Sequence, residues 1–132
     1  VIERQNISSG SPWELKIGSS RAVRINDRIL VTGTAPVWPD GSCDPDPVVQ
    51  TRRCFERIAE ALAKADATLD DVVFTRTYLT DAVYGDAAAA VHSELFSDTR
   101  PAATFVVVKE LLDPRWKLEI EVEAVRFTVF PR

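Results

Sequence analysis

The chain has 132 residues, 45% of them apolar, with 16 Lys and Arg against 20 Asp and Glu. Length and apolar share fit one domain, residues 1–132, with a core of its own. The net charge of −4 sets the average field against phosphate backbones and anionic lipid heads, so neither nucleic acid nor a membrane surface is an expected partner. The sequence has no apolar run of the roughly 18 residues that marks a membrane span, and the opening VIERQNISSG lacks the layout of a secretory signal. A soluble, cytoplasmic protein is the expectation.

In chain order, GSPWELKIGSSR (residues 10–21) reads as an irregular lead-in whose Trp13 packs onto the body. A first strand over Ala22–Ile25 and a second in RILVTG flank Asn26-Asp27, residues that tolerate the positive φ of a two-residue hairpin. TAPVWPDGSCDPDP carries four prolines and an Asp-Gly, and predicts a long surface loop. From Pro47 the apolar residues Cys54, Ile58, Ala61, Leu62 and Ala65 recur at helical spacing, with Asp46 as N-cap and Pro47 in the first turn. Arg52, Arg53, Glu56, Arg57 and Glu60 fall largely on the wet side of that helix.

DVVFTRTYLTD reads as a strand, and a shorter helix follows over about Tyr84 to Phe96 with an alanine block and His92. FVVV at Phe105–Val108 is continuously apolar, which suits a strand covered on both faces. From Leu118 alternation is strict, with Leu118, Ile120, Val122 and Ala124 on one face and Glu119, Glu121 and Glu123 on the other. The parity then flips at Val125, Phe127 and Val129, which calls for a β-bulge or for cover on both faces. The order β-β-loop-α-β-α-β-β predicts an α+β sandwich, a mixed sheet with two helices on one face. Two helices cover one side only, so a second chain is expected against the other.

Cys43 and Cys54 match neither a redox pair nor a zinc set, and His92 is the single histidine. Structural roles are expected for both thiols, and neither a metal nor a cofactor is predicted. His92 reads either as a packed, hydrogen-bonded residue or as a catalyst, and Trp116 in the DPRW turn as a cleft lid or a rim group. Trp38 is expected to pack.

RILVTGTAPV, QTRRCFERIAEALAKADATLDDVVFTRTYLTD and RPAATFVVVKELLDPRWKLEIEVEAV together resemble the RidA/YjgF/UK114 family, also called L-PSP or Rid proteins, over about Ile17 to Arg126. The most specific part is an RPA-type turn before one strand paired with a KxEIE-type final strand. The resemblance implies a chorismate-mutase-like fold, a homotrimer with a ligand cleft at each subunit interface, and cofactor-free hydrolysis of enamines and imines such as 2-aminoacrylate to a 2-keto acid and ammonia.

Carried over by position, Gly33 of TGTAPV, the backbone of Phe105, and Glu119 match; the glutamate of that position is thought to hold the attacking water. Thr34 and Thr104, beside matched positions, are expected to line the ligand cleft with Gly33, Ser19, Ala89, Ala103, Phe105, Arg100 and Trp116. The departures are Ser19 for a tyrosine, Ala89 for an asparagine, Phe105 for a cysteine and Ala103 for the arginine that clamps the substrate carboxylate. Loss of a guanidinium facing a carboxylate in a partly desolvated cleft removes roughly 2 to 5 kcal/mol of binding, and methyls in its place favour a neutral or bulkier ligand. Arg100 and Arg21 each read as a replacement clamp or as a salt-bridging surface group. The sequence thus points to a trimeric small-metabolite protein that hydrolyses C=N bonds over an altered substrate range. The alternatives are a non-catalytic binder or regulator and, least supported by the acidic balance, the ribonuclease or translation inhibitor that some relatives are labelled.

Overall fold

A computed structural model describes residues 1–126. Six strands form one sheet: β1 (Arg4–Ile7), β2 (Ala22–Ile25), β3 (Arg28–Thr34), β4 (Val72–Leu79), β5 (Ala102–Val107) and β6 (Leu118–Val125), in the spatial order β1-β2-β3-β6-β4-β5. Neighbours are antiparallel except β4 and β5, which run parallel. Helices α1 (Pro12–Ile17), α2 (Pro47–Lys64) and α3 (Gly85–Phe96) complete the fold, with short 3-10 turns at Leu69–Asp71 and Ala82–Tyr84.

The core lies between the sheet and the pair α2 and α3. Strict alternation in β6 buries Leu118, Ile120, Val122 and Ala124 and leaves the three glutamates on the far face. Ile29 and Val31 of β3, Val72 and Leu79 of β4, and Cys54, Ile58, Ala61 and Leu62 of α2 fill the same layer. Each fully buried Ile, Leu or Val contributes about 1.5–3 kcal/mol relative to exposure, so this layer fixes which face of the sheet the helices take. The N-terminus of α2 is built as its residues require: the Asp46 side chain accepts from Val48 N–H at 2.8 Å and Pro47 occupies the first turn.

The expected hairpin is present, with Ile25 opposite Arg28 and Asn26 at φ 51°. Several expectations need correction. The lead-in contains a helix, α1, started by the Ser11 side chain, and Trp13 stays about half exposed (49%) instead of packing. A further strand, β1, precedes it and pairs with β2. The strand placed at Phe105–Val108 begins at Ala102 and is exposed along its length, because it is the outer strand of the sheet. Arg53 is buried: its Nε donates to Val37 O at 2.8 Å and its guanidinium stacks 4.3 Å from the centroid of Trp38, tying the proline-rich loop to α2. Arg57 is half-buried and donates to Ala35 O at 2.7 Å. Of the parity flip, Val125 is half-buried and paired with Arg28, while Phe127 and Val129 lie outside the described residues. The register irregularities that are described fall in β3, between Val31 and Thr34, and in β4, between Val72 and Phe74.

Candidate functional site

The residues singled out in the sequence gather in two places, on opposite faces of the sheet. The first is the end of β3. The irregularity between Val31 and Thr34 places Gly33 against β6, where a Cβ on Gly33 would lie 3.2 Å from Glu119 Oε1. The absence of a side chain at 33 is therefore what lets the carboxylate lie flat over the strand. Glu119 stands opposite Tyr78 on the face away from the helices. Its carboxyl is pushed above the usual glutamate range, chiefly by burial and further by Glu121, with Arg21 and Arg57 pulling the other way.

The other two glutamates of the row are matched within the chain. Glu123 lies 3.4 Å from Arg28 Nη2, and Glu121 accepts from the Tyr78 hydroxyl at 2.6 Å and lies 3.5 Å from Arg76 Nη1. Glu119 forms no ion pair within 4 Å among the described residues, which makes it the carboxylate of the row without one there.

Arg21 reaches the same corner. Its Nη2 donates to Gly33 O at 2.8 Å, its Nε is buried without a hydrogen-bond partner among the described residues, and its guanidinium pKa falls to about 10 through burial and the like charge of Arg57. Ser19, two residues earlier, is exposed and its N–H donates to Glu14 O at 2.8 Å. Thr34 is fully buried; its hydroxyl donates to Thr32 O at 2.8 Å and its carbonyl accepts from the Cys54 thiol at 3.2 Å.

The second place is the α3 side of β5. Ala103 stands beside Thr75, and Phe105 beside Thr77, so both side chains share the helix-facing side with those buried threonines. Thr75 Oγ1 is 2.8 Å from His92 Nε2, and the Phe105 and His92 ring centroids are 5.7 Å apart. Phe55 and Phe96 also pack on that imidazole, and burial lowers its pKa, so His92 is the packed, hydrogen-bonded residue of the two readings. Ala89, one turn before His92, is exposed. Ala103 and Phe105 are thus neighbouring apolar residues on one face of β5. Thr104 points to the opposite face, beside Arg76.

Arg100 ends α3 in the left-handed region, φ 51°, with its N–H donating to Phe96 O at 2.8 Å; its side chain is exposed and makes no ion pair among the described residues. Trp116 is half-buried in the turn after Asp113, its indole N–H without a partner. Both cysteines are free; burial drives the Cys54 thiol far above its ordinary value and raises that of Cys43. Among the described residues no His, Cys, Asp and Glu cluster has the makings of a metal site, and no helix is long and apolar enough to cross a membrane. Sequence reasoning missed Arg57, because helical periodicity put it in water; only the fold brings it to the end of β3.

Comparison with known proteins agrees with this geometry. Residues 16–126 match the family model described as Endoribonuclease L-PSP. The chain is 37% identical over 126 residues to the uncharacterized protein SCO2049 of Streptomyces coelicolor, covering 95% of this chain and 94% of that one. It is 34% identical over 110 residues to a RutC family protein of Pyrococcus abyssi, covering 82% of this chain and 84% of the relative. Among solved structures, Rv2704 of Mycobacterium tuberculosis, described as a member of the YjgF/YER057c/UK114 family, superposes with a TM-score of 0.86 at 40% identity, covering 93% of this chain and 99% of that one. The family-model match over residues 16–126, the 37% identity to SCO2049 and a chorismate-mutase-like α+β sheet that superposes on Rv2704 make the chain a member of the Endoribonuclease L-PSP family, the Rid or YjgF/YER057c/UK114 proteins.

Proposed function

We propose that the protein is a homotrimeric Rid-like hydrolase that binds a small metabolite at its subunit interfaces and cleaves C=N bonds over a range different from that of relatives with an arginine in the turn before β5. The observation that carries this reading is the contact of Glu119 with Gly33: a half-buried carboxylate of raised pKa, without an ion pair among the described residues, at the position that in the family is thought to hold the attacking water. Such a group takes a proton from water near neutral pH more readily than an ordinary glutamate does. Addition of that water to an imine carbon gives a carbinolamine; its collapse forms C=O and releases ammonia, so the balance is imine plus water to carbonyl plus ammonia, with no cofactor.

The opposite placement of the two residue groups supports assembly. Gly33 and Glu119 lie on the open face of the sheet, whereas Ala103 and Phe105 lie on the helix side of its outer strand, so a cleft holding all four needs β5 of a neighbouring copy. Ammonia release from imines generated in place from several amino acids, 2-aminoacrylate included, tests the reading. Wild-type turnover on at least one of them, falling on the order of a hundredfold or more in Glu119→Gln, supports it. Absence of turnover in wild type, with activity gained on 2-aminoacrylate by Ala103→Arg, favours a non-catalytic binder on the same scaffold.

A further inference from the structure

Two guanidiniums flank Glu119, and neither forms an ion pair within 4 Å among the described residues. Arg21 Nη2 donates to Gly33 O at 2.8 Å and Arg57 Nη1 donates to Ala35 O at 2.7 Å. Gly33 and Ala35 are two residues apart where β3 ends, a spacing of roughly 7 Å in extended chain. Strand β2 and helix α2 therefore deliver two cations, side by side, to one short stretch of backbone. Each spends one of its five N–H groups on that backbone, and Arg21 Nε is buried with nothing to donate to. Neither arginine takes part in an ion pair within 4 Å among the described residues.

Two half-buried like charges brought together without a counter-ion are costly to hold, and burial lowers the pKa of both. Glu14 acts on both from a distance, but its carboxylate is already taken by the Ser8 hydroxyl and by the N–H and hydroxyl of Ser9. Glu60 and Arg53 also act on Arg57, but they are spent on each other, with Glu60 Oε1 3.9 Å from Arg53 Nη1. That leaves Glu119 as the carboxylate that acts on both guanidiniums without an ion pair of its own among the described residues. We propose that Arg21 and Arg57 form an anion cradle that binds a small monocarboxylate beside Glu119, replacing from the β3 side the clamp that Ala103 lacks on β5. One negative charge balances the corner, and a planar carboxylate fits guanidinium forks whose remaining N–H groups are unspent.

This deepens the functional reading by naming the acid as the group the cleft recognises; it rests on that reading for the location of the cleft and not for hydrolysis. The test is calorimetric binding of pyruvate, its neutral amide and inorganic phosphate to the full chain and to Arg21→Gln, Arg57→Gln, Arg21→Lys and Glu119→Gln, with melting temperatures taken alongside. Each Arg→Gln change is expected to weaken pyruvate roughly tenfold or more, with no equal effect on the amide, and Arg21→Lys to recover part of the loss. Glu119→Gln is expected to tighten pyruvate, an effect that a purely structural glutamate does not produce. The two arginines stand on different elements, so one unfolded variant leaves the other to decide. Wild type that ignores pyruvate at millimolar concentration, pyruvate affinity unchanged in both Gln variants, or phosphate preferred to pyruvate overturns the cradle. Pyruvate binding with this pattern but no ammonia release from any imine keeps the cradle and removes the hydrolase.

Discussion

Gly33 and Glu119 are in contact across β3 and β6, with 3.2 Å between the carboxylate oxygen and the place where a methyl on Gly33 would stand. Gly33→Ala pushes the end of a movable side chain and not the backbone, so the stability loss is expected to stay at about 1 kcal/mol or less. Ammonia release is expected to fall at least tenfold, because the carboxylate proposed to position water is displaced. Equal losses in melting temperature and turnover would instead mark Gly33 as a packing residue.

Glu119 has a folded pKa above its unfolded value, so the folded state binds the extra proton between the two. Its charge therefore costs stability, and that cost sets in as pH rises from the ordinary glutamate range through the folded value. Glu119→Gln is expected to unfold with wild type in acid and at higher denaturant than wild type at neutral pH. Urea titrations at several pH values check this. A variant less stable than wild type at neutral pH contradicts it.

His92 carries the opposite sign. Burial lowers its folded pKa below the ordinary 6.5, so the stability of the neutral ring is present above that value and is lost as pH falls through the folded one. His92→Phe is expected to flatten the stability profile just below pH 6.5, and Thr75→Val, which removes the hydroxyl 2.8 Å from Nε2, to cost about 1 kcal/mol. Denaturant midpoints across this range decide.

Arg53 fastens the proline-rich loop through Val37 O and the Trp38 ring. Arg53→Ala is expected to cost about 2 kcal/mol, since it removes a charged hydrogen bond and a cation-π contact together, and to increase amide exchange at residues 37–43. Arg53→Lys, unable to donate and stack in one plane, is expected to recover only part of the loss. Unchanged exchange in the loop contradicts the assignment.

Strand β5 presents Phe105, Val106 and Val107 to solvent in the single chain. Sedimentation at micromolar concentration is expected to show a trimer, and Val107→Glu to shift it toward smaller species. A stable monomer in wild type counts against the interface cleft.

What the sequence disclosed follows the strength of its periods. Helix α2 and strand β6 repeat their apolar positions often enough to be read directly, and Asp46-Pro47 marks where α2 starts. Strand β1 was missed because RQNI buries only Ile7, which leaves no alternation to see. The six residues of α1 are too few for a helical repeat. At the site, Glu119 and Gly33 were found through the family resemblance. Arg57 was not, because a charge at a polar helical position reads as solvated until the loop carbonyl that receives it is in place. The row of three glutamates called for cationic or polar neighbours, and Arg28, Arg76 and Tyr78 supply them for two of its members.

The sheet's two rims differ in kind. One is β1, whose Arg4, Gln5 and Asn6 are hydrated; the other is β5, whose sequence AATFVV is small and greasy. Rim-to-rim extension by hydrogen bonding requires two compatible borders, and here only one is adhesive, so endless stacking into ribbons is disfavoured. The proposed contact, β5 of one copy on the open sheet face of the next, would join unlike surfaces, and such head-to-tail association terminates itself only where its rotation closes a ring.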